Sequence, residues 1–362
     1  MTLLDQPKKA KLTQCCRAFS PDVTSETITE YALAFARISL TITSTVATWN
    51  CHAREDAVYS SVVASSAVTI VVCMCFDRRL GQAAFCGTFA GMSGPDVVPN
   101  INAAIWLASL TSILYEVVIQ YYDAFLGIGG RLGVTAMVAT SIVAAAQGVS
   151  TGVTASVISL TALKSRTLVL TPLWYAVGSL ATLLLRQISD DSAAKDSVRA
   201  SAVVGLIAAL LIRDEAVALA IYGGSFSGMS LPTRLMHGML PGDNEAERDL
   251  EETSASFPHA EPPSIIANAI AFGIAGAFGG IIHGIIDVFG FWPGGWGGKA
   301  GSCAFIGCLI YRGAVILSSV VKIAILKYTA LVHPLTIITI DAECECEGEG
   351  EDIEKTESHV SP

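Results

Sequence analysis

Eight apolar runs, at residues 29–49, 57–76, 101–121, 132–163, 168–186, 197–213, 263–286 and 301–333, constrain this chain more than any other feature. A helix that crosses the roughly 30 Å hydrocarbon core of a bilayer needs about 20 mainly apolar residues, because each backbone N–H and C=O must find its partner within the segment. Charged residues occupy only 15% of the 362 positions, whereas a soluble domain carries about a quarter. These features predict an all-α, polytopic helical membrane protein, integral and multi-pass, whose first partner is the lipid bilayer.

The remaining charge is concentrated. Glu245–Glu252 and Asp341–Glu357 hold 14 of the 32 acidic residues, so most of the net charge of −10 belongs to two solvated segments. No basic stripe exists, and a nucleic-acid partner is not expected. The first 28 residues are polar and contain Lys8, Lys9, Lys11 and Arg17, with no apolar stretch leading to a small-residue cleavage site, so no secretory signal peptide is read here. The ten cysteines are scattered and define no disulfide framework; Cys15 and Cys16 lie in a context that permits palmitoylation. The tail string Glu343-Cys344-Glu345-Cys346-Glu347 has too few thiols for a closed zinc site, and no cofactor is expected.

Two shorter apolar stretches, 80–94 and 215–231, are rich in Gly and Ser and read as re-entrant or half-helix segments. Laid side by side they match: GTFAGMSGPD from Gly87 to Asp96 and GSFSGMSLPT from Gly224 to Thr233 share Gly, Phe, Gly, Met, Ser and Pro at identical spacings. A second pair follows in the same order, DAFLGIGGRLG from Asp123 and DVFGFWPGGWGGKAG from Asp287. Two motifs in one order, with the same flanking helices, predict two tandem repeats, each with a Gly-rich re-entrant or half-helix segment. Duplicated halves are a common construction for transporters. The organisation expected is a cytosolic segment at 1–28, membrane repeat 1 at 29–163, membrane repeat 2 at 164–340 with a polar loop at 241–262, and an acidic disordered tail at 341–362.

Each motif suggests a role. Gly87 and Gly91, like Gly224 and Gly228, are spaced GxxxG, which strips side chains from one helix face and admits a close neighbour. Pro95 and Pro232 then stop the helices, and Ser93, Ser225 and Ser230 add hydroxyls beside carbonyls freed by the break. Unpaired polar backbone at membrane depth is tolerated when it is buried in protein or lines a wet cavity. These residues are therefore expected to line a pathway, against the plainer reading of close helix packing. Arg131 and Lys299, each between glycines, are read as interfacial anchors or as charges at a pathway mouth, balanced by Asp123 and Asp287. Glu116 and His283 are ionisable groups within apolar runs, and are expected on either side of a shared cavity, where they tune charge or carry a proton; a hydrogen-bonded core histidine is the rival reading.

The long runs 132–163 and 301–333 leave the crossing number open. Single helices there give eight crossings and parallel repeats, whereas pairs of short helices around Gly148 and Arg312-Gly313 give ten crossings and inverted repeats. Charge bias places 12 of 18 loop cations inside for eight crossings and 10 for ten, favouring eight modestly. Duplicated hairpins that form one pathway are more easily understood when they meet from opposite faces. The function expected is a membrane transporter or channel for a small solute or ion. The alternatives are a non-transporting membrane scaffold and, with no HExxH or nucleophile–base set in the sequence, a membrane-embedded enzyme. A homo-oligomer is compatible with all of these, and no metal is specified.

Overall fold

The computed structural model describes residues 25–53, 59–121, 125–149, 163–188, 196–236, 264–292 and 296–332. The expectations for residues 1–24 of the N-terminal segment, the polar loop, Asp123 and the acidic tail lie outside these residues. Among the described residues the chain is all-helical and has no strands. Eleven helices are described, α1 (Ser25–His52), α2 (Ser61–Cys75), α3 (Arg78–Gly91), α4 (Ile101–Tyr121), α5 (Arg131–Ala146), α6 (Leu163–Ile188), α7 (Ser197–Leu211), α8 (Glu215–Ser227), α9 (Pro232–Met236), α10 (Ile265–Phe289) and α11 (Lys299–Val332).

Local chemistry sets the helix starts. Asp77 accepts the Leu80 N–H at 2.9 Å to open α3, and Asp214 accepts the Ala216 N–H at 3.0 Å to open α8. An N-cap carboxylate satisfies a first-turn donor that has no partner inside the helix. Each cap follows a short apolar helix, α2 or α7, so both glycine-rich helices enter by a tight capped turn.

Four helices are long and apolar enough to cross a membrane: Ile101–Gln120, Val169–Ile188, Ile265–Phe289 and Lys299–Thr329. The predicted runs 57–76, 132–163 and 197–213 instead contain helices of 15, 16 and 15 residues. At 1.5 Å per residue these span about 22–24 Å, less than the hydrocarbon core.

The two ambiguous runs resolve differently. The helix beginning at Arg131 stops at Ala146, because Gly148 takes a left-handed φ of 72°. Val149 N–H then reaches Ala144 O at 2.9 Å and Gly148 N–H reaches Ala145 O at 3.1 Å, the paired bonds of a Schellman cap. In contrast, α11 continues through Arg312-Gly313 as one helix of 34 residues, the single-helix reading of the two that the sequence left open. The boundary between the two compact units falls within α11, after Val315, and side chains beyond it, including Leu317, Ile323 and Leu326, are exposed.

Contact register gives the helix directions. A methyl at Gly87 would strike the carbonyl of Thr41, and one at Gly91 would lie 2.5 Å from that of Thr45, so α3 runs parallel to α1. The equivalent clashes of Gly224 with Tyr175 O and of Gly228 with Ser179 O make α8 parallel to α6. These glycines hold two helix pairs at backbone contact. Across the middle of the fold α3 and α8 meet through Phe85, Phe89, Tyr222 and Phe226. Arg78 and Gln82 at the start of α3 share one cavity with Met229 just past the end of α8, and Met92 just past the end of α3 shares another with Leu219 near the start of α8, so the two helices run antiparallel.

Candidate functional site

The centre is a cluster of four rings, Phe85 and Phe89 from α3 with Tyr222 and Phe226 from α8, all at most 2% exposed. Phe89 and Phe226 are the closest cross-helix pair, with centroids 4.6 Å apart and planes at 60°. Successive ring positions four residues apart face the same way on a helix, so two turns of each helix supply the whole cluster. Hydroxyls beside the rings bond among themselves: Ser65 and Tyr222 at 2.9 Å, Thr69 and Thr88 at 3.2 Å, Ser201 and Ser225 at 2.6 Å.

Two cavities use this cluster as floor. The larger, about 160 Å³, is lined by Ser61, Met92, Leu219, His283, Asp287 and the Trp296–Gly301 turn, together with Phe89 and Phe226. The smaller, about 100 Å³, is lined by Arg78, Gln82, Ser197, Met229 and the Gly127–Leu132 turn, together with the same two phenylalanines. Along α3 the smaller cavity takes Arg78, Gln82 and Phe89, while the larger takes Phe89 and Met92. Along α8 the order is reversed, with Leu219 and Phe226 in the larger and Phe226 and Met229 in the smaller. The cavities therefore lie end to end, separated by the Phe89–Phe226 pair.

The glycine turns close the sides. Ser230 Oγ accepts the N–H of Gly129 at 2.8 Å, and Ser93 Oγ accepts the N–H of Gly297 at 3.2 Å. Gly130 and Gly298, with φ of 85° and 81°, lead into α5 and α11. A methyl on Gly130 would meet Gly301 O and Phe305 N, and one on Gly298 would meet Gly133 O and Met137 N. The contacts thus swap between the two turns, and α5 and α11 cross antiparallel with Gly133 against Gly301.

Several expected site residues sit elsewhere. Gly87, Gly91, Gly224 and Gly228 line neither cavity; their bare faces are filled by α1 and α6. Ser93 and Ser230 are buried structural acceptors, and Ser225 donates to Tyr222 O at 2.6 Å. The carbonyls freed at the helix ends do not face a wet lining. Arg186 donates to Gly228 O at 2.8 Å and Ser230 O at 3.0 Å, and His52 pairs with Gly91 O at 2.8 Å. Basic groups at helix C-termini satisfy those carbonyls and oppose the helix dipole. Glu116 does not share a cavity with His283, since both its oxygens accept from Arg37, each at 2.7 Å, in a buried bidentate pair between α1 and α4.

Other expected residues do converge. His283, Asp287 and Lys299 line the larger cavity, and Lys299 Nζ donates to Asp287 Oδ1 at 2.6 Å, the balancing pair expected from sequence. Arg131 lines the smaller cavity. Sequence reasoning did not place Phe89, Phe226, Met92 and Met229 in the cavity walls, although all four stand inside the matched strings. It missed Tyr175, Arg186 and His52 entirely, because nothing near them in the chain reveals which helix end they reach. Among the described residues no group of three or more His, Cys, Asp or Glu is arranged to hold a metal ion.

The fold and its centre define an all-helical protein with four helices able to cross a bilayer. Compared with models of known protein families, with curated proteins and with solved structures, the chain has no match.

Proposed function

We propose that this protein is an integral, multi-pass membrane transporter or channel that passes a small polar solute or ion between its two cavities, with Phe89 and Phe226 as the gate. The observation that carries the reading is the end-to-end placement of two cavities, each with charged or polar side chains in a largely apolar wall, on one shared aromatic pair. Rings 4.6 Å apart leave no water-sized passage, so this is a closed arrangement. Rotation of two phenyl side chains would open it without moving a helix.

The swapped contacts support two related repeats, α1–α5 and α6–α11. Gly129 with Ser230 and Gly297 with Ser93 exchange places under a two-fold operation, as do Phe85 with Phe226 and Phe89 with Tyr222. Antiparallel crossings of α3 with α8 and of α5 with α11 support a two-fold axis in the membrane plane, and so the inverted arrangement over the parallel one that charge counting favoured. Inversion turns the cavities to opposite faces. The alternative is a non-transporting scaffold: the rings between α3 and α8 are at most 2% exposed, and what supports a pathway over it is the pair of cavities that flank those rings.

Impermeant thiol labelling tests the reading. In a background with the native cysteines replaced, Ser61→Cys and Ser197→Cys occupy corresponding places in the two cavities. The expected result is labelling of each from one face only, and from opposite faces. Labelling of both from the same face, or of neither, overturns the proposal.

A further inference from the structure

Four polar groups form a chain leading out of the packed interior into the larger cavity. Tyr175 of α6, fully buried, places Oη 2.6 Å from His283 Nδ1. His283 Nε2 lies 3.5 Å from Asp287 Oδ2 one turn along α10, and Asp287 Oδ1 accepts from Lys299 of α11 at 2.6 Å. His283, Asp287 and Lys299 line the cavity, while Tyr175 stands behind them.

We propose that His283 is a proton-binding site loaded from the larger cavity, with the Tyr175 hydroxyl as its positioning partner. That hydroxyl has two acceptors in reach, His283 Nδ1 at 2.6 Å and Ala300 O at 3.3 Å. When it donates to Nδ1, the ring carries its hydrogen on Nε2, facing Asp287. When it turns to Ala300 O, Nδ1–H donates to the tyrosine oxygen and the Nε2 lone pair points toward the Asp287 carboxylate on the cavity wall, an arrangement that favours taking up a proton there. A hydronium ion there adds its proton at Nε2 and leaves as water. The imidazolium then donates from both nitrogens, to Tyr175 and to Asp287. Every donor has an acceptor already in place in both protonation states, which a site that must hold and release a proton requires.

The groups facing the ring are few. Among the described residues α6 contributes Tyr175, α10 contributes Asp287, and α11 contributes Lys299, with Cys303 of α11 acting on the Tyr175 hydroxyl behind the ring. From α8 the cavity receives only the apolar Leu219 and Phe226. Because Asp287 and Lys299 neutralise each other, a proton on His283 adds a full positive charge to the wall. Among the described residues the lining of the smaller cavity includes neither histidine nor carboxylate, so the loading proposed here is from the larger cavity alone. The proposal deepens the permeation reading, since a one-sided proton site is what ties solute movement to a proton gradient.

The test uses the full chain in lipid nanodiscs with ¹⁵N-labelled histidine, titrated by NMR from about pH 4 to 9. One ring signal, absent in both His283→Gln and His283→Asn, is expected to titrate. Asp287→Asn should lower its midpoint by about one pH unit, Lys299→Gln should raise it, and Tyr175→Phe should change the tautomer balance. A His283 signal that does not titrate, or that ignores both charge changes, overturns the proposal. If Ser61→Cys is still labelled in that case, the pathway stands without the proton site. Titration with no labelling of Ser61→Cys overturns loading from the cavity.

Discussion

Ser230 Oγ receives the backbone N–H of Gly129 at 2.8 Å, and this bond ties the end of the second glycine-rich helix to the turn that opens α5, 101 residues earlier in the chain. Ser93 does the same for Gly297 at 3.2 Å. A serine that looked like a pathway ligand is therefore a clasp between elements far apart in sequence. The turns that these clasps position form part of the wall of each cavity.

Removing a clasp should cost stability before it alters permeation. Ser230→Ala leaves the buried Gly129 N–H without its acceptor, a loss of about 1–3 kcal/mol. Thermal unfolding of the purified protein in detergent should show a lower midpoint for Ser230→Ala and for Ser93→Ala, and the double variant should lose more than either. Unchanged midpoints would show that water replaces the hydroxyls at no cost.

The turn glycines should be intolerant where backbone crowds them and tolerant where nothing does. A methyl at Gly129 would overlap the Phe226 carbonyl, whereas Gly313 has nothing within 4 Å. Gly129→Ala is expected to abolish the folded protein, read as loss of the monodisperse peak on size exclusion. Gly313→Ala, in a continuous helix, should be neutral or stabilising by up to about 1 kcal/mol, since alanine favours helix over glycine.

Shortening the gate rings should open the path. Phe89→Leu and Phe226→Leu retain apolar volume and so avoid the about 3–5 kcal/mol cost of truncating a buried phenylalanine to alanine. In proteoliposomes, stopped-flow light scattering should report faster passage of small polar solutes for each variant than for the native protein, and faster still for the pair. Equal rates in all three variants and the native protein would remove the rings from the pathway.

The Arg37–Glu116 pair is expected to matter for stability. Breaking a buried pair strands a charge, at about 3–5 kcal/mol, while replacing both partners with apolar residues is often neutral. Arg37→Met and Glu116→Leu alone should therefore unfold far more easily than the double variant, measured as residual folded fraction after heating. A double variant no better than the singles would contradict this.

The sequence on its own determined that the chain is helical, with helices long and apolar enough to cross a bilayer, and which of its strings match. Length and apolarity of the runs anticipated α4, α6, α10 and α11, because backbone satisfaction in hydrocarbon is a local requirement that one segment meets by itself. The matched strings likewise pointed to the glycine-rich helices, since close backbone approach demands glycine whatever the partner. Which partner, and which face, only the tertiary structure decided. Gly87 meets α1, Ser93 meets a turn 204 residues away, and Arg186 reaches the carbonyls of α8, none of which leaves a trace in neighbouring residues. A polar group at membrane depth must find some partner. Whether that partner is a protein donor or a wetted cavity depends on three-dimensional neighbours, and here it was Phe89 and Phe226, rather than the serines, that came to stand between the two cavities.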